Sequence, residues 1–216
     1  TENSNATYCV AIGHDALTVQ NGTVTNTAIG GLAGDAIEGG DLNTLLGYMA
    51  GSAIVDLDAN TAIGYQAYAK GTGSGNTVIG SSAGSSTSNT GVALSGIENV
   101  IIGNTAGYDL TTGPGNVLIG SSAGANMTTG DYNVAIGYQA ADGMVGAANN
   151  NIAIGKSALG ATTGVVQDCI AIGHNALGTQ NAAAAINIAI GRNAGDAITS
   201  GTQNVLIGYE AGGTLA

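Results

Sequence analysis

The run Asn133-Val134-Ala135-Ile136-Gly137-Tyr138-Gln139-Ala140 decides how the chain is read. In general form it is Asn, a small or β-branched residue, an aliphatic residue, Ile, Gly, two free positions, Ala. The same eight-residue phrase recurs from end to end. Its Ile-Gly or Leu-Gly pair appears twelve times, from Ile12-Gly13 through Leu46-Gly47 and Ile119-Gly120 to Ile207-Gly208. An Ala follows each of these glycines by three residues, from Ala16 to Ala211. The steps between glycines are 17, 17, 17, 16, 23, 17, 17, 18, 18, 18 and 17 residues. A short period held over the whole chain is the signature of a solenoid.

With Asn as position zero, position one is Thr, Val or Ile. Position two is Ala, Leu, Val or Ile, and position three is Ile, except for Leu46. Alternate residues of a strand point to opposite faces, so this strand is apolar on both. One face fills the inside of the coil. The other needs cover from outside it, and an identical chain is the simplest cover. The repeated Gly fits a bend that needs positive φ or close backbone approach. The Asn can stack on its copies as an amide ladder. A later apolar residue (Ile37, Leu110, Met127, Met144, Ile198) points to a short return strand, closed by turns such as Thr111-Thr112-Gly113. The expected fold is an all-β parallel β-solenoid, or β-roll, of about twelve coils of 17–18 residues. Helical repeats are disfavoured by the density of Gly and β-branched residues.

Composition agrees. The 216 residues include 38 Gly and no Phe or Trp, too few large side chains for a thick globular core but enough for a thin stacked one. Residues 1–8 carry no repeat and read as a cap or a cut end. Residues 9–216 read as one domain, with a protruding Ser/Thr/Gly-rich loop inserted around 85–98. Neither end has the atypical polar coil that closes most solenoids, so other subunits or more chain are expected to cover the ends. The net charge is −11, with Lys70, Lys156 and Arg192 the sole basic residues. That opposes binding to nucleic acid or to an anionic membrane. No apolar run approaches membrane-spanning length, so no membrane insertion is expected.

The runs Asn60-Thr61-Ala62-Ile63-Gly64-Tyr65-Gln66-Ala67 and Asn187-Ile188-Ala189-Ile190-Gly191-Arg192-Asn193-Ala194 resemble two repeat groups. One is the Asn-Thr-Ala-Ile-Gly-Tyr-Gln-Ala repeat of phage tail fibres and related virion proteins. The other is the head of YadA-like trimeric autotransporter adhesins, whose repeat is shorter. The longer step and the Tyr-Gln form are more similar to the phage type. The resemblance spans Cys9 to Gly212. It implies a left-handed roll, a homotrimer around one axis, and a place on the virion surface in contact with a host-surface glycan or protein. The bacterial cell surface is the alternative location, with the chain as an adhesin head.

Four residues just after the repeat glycine, Tyr48, Tyr65, Tyr138 and Tyr209, are candidate receptor contacts, since stacked rings can meet a sugar or a protein. They can equally do no more than cover a bend. Cys9 with His14 and Cys169 with His174 share one repeat variant. Without paired-ligand spacing they define no metal site, and no cofactor is expected. The acidic residues, Asp35 and Asp109 among them, read as a solvated face. No Ser-His-Asp set, phosphate loop or HExxH motif is present, so catalytic residues are expected to be absent. A polysaccharide-degrading β-solenoid enzyme ranks low, because its clustered carboxylates have no counterpart here. The expected role is a structural and attachment protein: a fibre, spike or decoration component.

Overall fold

A three-residue strand of Thr, Val, Ile and Ala has little reason to stay extended alone. It does so when the same residues stack above and below it. The computed structural model describes residues 8–85, 93–162, 165–179 and 186–213, and it shows such stacking throughout. The strands are β1 (Val10–Ile12), β2 (Thr27–Ile29), β3 (Thr44–Leu46), β4 (Thr61–Ile63), β5 (Thr77–Ile79) and β6 (Val100–Ile102). They continue as β7 (Val117–Ile119), β8 (Val134–Ile136), β9 (Ile152–Ile154), β10 (Ile170–Ile172), β11 (Ile188–Ile190) and β12 (Val205–Ile207). They form one parallel sheet in chain order, each strand paired with the next. The register is unbroken: Val117, Leu118 and Ile119 stand beside Val134, Ala135 and Ile136. The solenoid therefore makes about eleven turns, with no helix among the described residues.

Position two is the inward position. Ala28, Leu45, Val78, Ile101, Leu118, Ala135 and Ala171 are fully buried. Positions one and three point outward and are half-buried or exposed along the whole sheet. The inner channel is narrow enough for Ala to fill it in half the coils, with Leu, Val or Ile in others. Each of those larger side chains stabilises the stack by roughly 1.5–3 kcal/mol.

The repeat glycine is required twice over. Its φ lies between 130° and 140° in all twelve coils, a backbone state that side chains disfavour. A Cβ on Gly137 would also sit 2.7 Å from the carbonyl oxygen of Gly155 in the next coil. The Ala at position seven is buried from Ala16 to Ala194. It lies in a turn and not in a second strand.

That is the main departure from the expected coil. No return strand forms among the described residues; outside the named strands there is one isolated bridge, Gly71 to Leu94. The cause is the backbone. Position six is left-handed in every coil (Asp15, Leu32, Met49, Gln66, Ser82, Thr105, Ser122, Gln139, Ser157, Asn175, Asn193, Glu210). Position eight is left-handed as well, with Leu17 at φ 48° and Tyr68 at 54°. Alternating left-handed residues prevent extension, at a cost of about 1–2 kcal/mol for each residue other than Gly. Coil-to-coil hydrogen bonds continue regardless, as in Gln139 N–H to Ser121 O at 3.0 Å and Ala141 N–H to Ala158 O at 2.8 Å. The turns are thus bonded as the strands are.

The second half of the core follows a rule of exchange between positions eight and eleven. Where position eight is Gly (Gly34, Gly51, Gly107, Gly124), position eleven is a large aliphatic residue (Ile37, Ile54, Leu110, Met127). Where position eight is large (Leu17, Tyr68, Leu159), position eleven is Gln20, Gly71 or Thr162. One space is filled from either side. A Cβ on Gly34 would stand 2.9 Å from the Cδ1 of Ile37, and one on Gly51 would stand 2.9 Å from the Cδ1 of Ile54. Tyr68, fully buried, fills the 16-residue coil, and its hydroxyl donates to Gly73 O at 2.8 Å and accepts from Asn76 Nδ2 at 2.9 Å. Burial pushes its phenol up to about 12.

The Asn ladder runs inside the coil. Asn133 N–H and Nδ2 both donate to Asn116 Oδ1, at 2.9 and 3.0 Å, and Nδ2 also donates to Ala148 O at 2.7 Å. Asn151 repeats this on Asn133. Cys169 interrupts the row: its Sγ accepts from Asn187 N–H at 3.4 Å, a weaker substitute for the amide oxygen. Of the loop expected around 85–98, residues 86–92 lie outside the described residues. Its last part belongs to the stack: Leu94 is buried, and Ser95 N–H donates to Thr111 O at 2.6 Å.

Candidate functional surfaces

The outward face of the sheet is the first surface the fold creates. Positions one and three present an unbroken field of Ile, Val, Leu and Thr over twelve strands. Ile12, Leu46, Ile136, Ile190, Val205 and Ile207 are all exposed, Ile136 at 36% and Ile12 at 58%. At ~4.8 Å per strand and ~3.3 Å per residue, a field twelve strands long and three residues wide covers roughly 570 Å². That is at the top of the roughly 300–600 Å² range of the largest apolar patch on a typical monomer.

Two rows border this face. Beyond the repeat glycine, at position five, stand all four sequence-predicted tyrosines, both histidines, Lys156 and Arg192. Tyr48 and Tyr65 stack with ring centroids 5.8 Å apart and planes 15° from parallel. Tyr138 lies under Lys156 Nζ at 5.9 Å, and Tyr209 under the Arg192 guanidinium at 6.0 Å. The structure therefore brings the tyrosines together pairwise, Tyr48 with Tyr65, and sets the other two against cations. All four are exposed. On the opposite border, just before position zero, lie Asp41, Asp58, Asp131 and Asp168. Asp41 Oδ1 accepts from Thr25 N–H and Oγ1, both at 2.6 Å, and these bonds hold its carboxyl below the usual range.

The Cys-His variant is pulled apart by the same geometry. Cys9 and Cys169 sit at position zero and point into the coil, whereas His14 and His174 are exposed at position five. His14 Nδ1 instead meets Asp15 Oδ2 at 2.9 Å. Burial pushes the Cys169 thiol up. Among the described residues no three His, Cys, Asp or Glu side chains converge on a possible metal ion.

A second surface was hidden in the sequence. A cleft of about 590 Å³ opens on positions ten to twelve of coils six to nine, lined by Asp109, Asn126, Gly143, Val145, Ala161 and Thr162. Asp109, expected on a solvated face, has its Oδ1 buried without a partner, as does Asp35. Burial raises the Asp109 carboxyl, as it does that of Asp142 beside the cleft. No signal in residue type points here: Thr162 stands beside a large position eight, as Gln20 and Gly71 do. Comparison with profiles of known protein families, with curated proteins and with solved structures finds no match to this chain.

Proposed function

We propose that the protein is a non-enzymatic structural and attachment element, a homotrimeric rod that forms a fibre, spike or decoration of a virion and contacts a host surface. The observation that carries this reading is the uninterrupted apolar face. Its roughly 570 Å² per copy, with the two bordering rows added, approaches the ~800 Å² per partner buried in stable interfaces. A second copy also satisfies the charge pattern. In a ring of parallel copies, the cationic and aromatic border of one meets the acidic border of the next at the same height. Lys156 opens the turn of coil nine and Asp168 closes that coil, so the two fall nearly level. An antiparallel pair would instead set like borders together, which favours parallel copies around one axis.

The family resemblance supplies the number three and the virion setting. The rod itself supports attachment mechanically: hydrogen bonds run coil to coil, and side chains on the bends reach outward. Mass in solution by light scattering tests the reading, with three chain masses expected. Ile119→Lys and Ile136→Lys, both outward in the sheet, should convert the assembly to single chains. A wild-type protein that stays monomeric and monodisperse at micromolar concentration overturns it.

A further inference from the structure

Five observations meet at the cleft. At its floor Gly143 packs directly on the next coil: a Cβ there would stand 2.5 Å from Thr162 N and 2.7 Å from Gly160 O, so only Gly fits that point. Thr162 is 2% exposed, and its hydroxyl has no partner. Asp109 Oδ1 is likewise buried and unpaired. Asn126 is held in place by donating from Nδ2 to Asp142 Oδ1 at 3.1 Å, which leaves its second amide hydrogen and its carbonyl oxygen for other partners. Val145 and Ala161 add exposed apolar surface between these polar groups.

We propose that this cleft binds a neutral oligosaccharide lying along the stack, with sugar hydroxyls on Asp109, Asn126 and Thr162 and a ring face on Val145 and Ala161. The chemistry selects this class. An unpaired carboxylate oxygen wants a donor, an unpaired hydroxyl wants either a donor or an acceptor, and an amide offers both. A pyranose presents that mixture on its rim and an apolar face of C–H groups. Asp109 and Thr162 are three coils apart, ~14 Å along the stack, which suits a chain of about two or three rings and exceeds one. No basic residue lines the cleft and the protein carries a net charge of −11, so sialylated or otherwise anionic glycans are excluded. A metal ion is a poor fit for the same ~14 Å separation, since ligands to one cation lie within a few Å of it.

The inference deepens the attachment reading, because it names the ligand class, but it is independent of subunit number. The cleft lies outside the strand face and both of its borders, so assembly through that face leaves it open. The test is titration of the full chain with a panel of neutral di- and trisaccharides of gluco, galacto and manno configuration, some N-acetylated, plus one sialylated trisaccharide. Calorimetry and ligand-observed NMR are the readouts. At least one neutral member should bind with Kd on the order of 1 mM or tighter, and the sialylated one should not bind. Ala161→Trp, which fills the groove from an exposed position, should weaken binding at least ~10-fold with unchanged circular dichroism. Thr162→Val should weaken it several-fold without lowering the thermal midpoint, since it removes an unpaired hydroxyl. The proposal is overturned by a panel with no neutral binder, by binding that Ala161→Trp leaves intact, or by equal binding of the sialylated sugar. Light scattering on the same sample separates the two readings: sugar binding by a single-copy protein keeps the cleft and removes the trimer, and the reverse result does the opposite.

Discussion

Asn133→Ala removes one rung from the middle of the ladder, and the structure allows its cost to be worked out. The Asn133 backbone N–H still reaches Asn116 Oδ1, and Asn151 Nδ2 still has Val166 O at 2.8 Å. Two groups lose their partner outright. Asn151 N–H loses Asn133 Oδ1 at 2.9 Å, and Ala148 O loses Asn133 Nδ2 at 2.7 Å. Both lie in the buried interior, where an unpaired backbone group costs about 1–3 kcal/mol, so the variant should lose about 4 kcal/mol. Asn133→Cys imitates the natural Cys169: sulfur can accept from Asn151 N–H while Ala148 O stays unpaired, so about 2 kcal/mol should be lost. Urea unfolding at one fixed protein concentration measures both, since an assembled protein's stability depends on concentration. Hydrogen exchange at the Asn151 amide should accelerate far more in the Ala variant than in the Cys variant. If both variants lose less than about 1 kcal/mol, or exchange alike, the ladder does not hold the coils together and the argument fails.

The exchange rule predicts a rescue: Leu17→Gly should destabilise by about 2–4 kcal/mol, and adding Gln20→Ile, which recreates the combination of coil two, should recover most of it in a double-mutant cycle. Gly137→Ala and Gly208→Ala share a strained φ, but a Cβ on Gly208 would meet nothing closer than the Ala211 Cβ at 4.0 Å. Thermal unfolding should therefore show Gly137→Ala to be the worse by at least ~2 kcal/mol, the difference being the clash with Gly155. Burial, with the nearby Asp15 charge adding a smaller push, raises the Asp35 carboxyl above its ordinary value. The folded state then holds this proton more tightly than the unfolded chain, so its ionisation subtracts stability as pH rises through the raised carboxylate range. Asp35→Asn should stabilise the protein at neutral pH, and the gain should disappear in acid, as read from denaturation midpoints across pH.

Much of the architecture could be read from where Ile and Gly fall. A strand-length apolar run, a fixed bend and an in-register Asn specify stacking whatever the rest of the coil does. Which face turns inward could not be read, because Ala135 and Ile136 are both apolar. Size gives only a hint: Ala is the commonest residue at position two, but Leu45, Ile101 and Leu118 are buried at the same position. The return strand was misread because Ile37 and Met127 are buried exactly as strand residues are, while the left-handed backbone at Leu32, Gln66 and Leu159 leaves no trace in residue type. The four tyrosines can be named from the sequence, but their neighbours cannot, since Lys156 and Arg192 meet Tyr138 and Tyr209 only through stacking. The cleft was invisible for a related reason. It is lined by residues of four coils that only stacking brings together, beside an Asp109 that reads like any other surface carboxylate.

The unbroken register has a bearing on how such a molecule can change its length. Each coil meets its neighbours through the same set of bonds, so excising or duplicating one whole repeat within the phrase leaves every junction of a kind already present. The gene then works as a ruler with graduations of ~4.8 Å. Reach can be adjusted by recombination between near-identical segments, with fold and surface chemistry passing through unaltered.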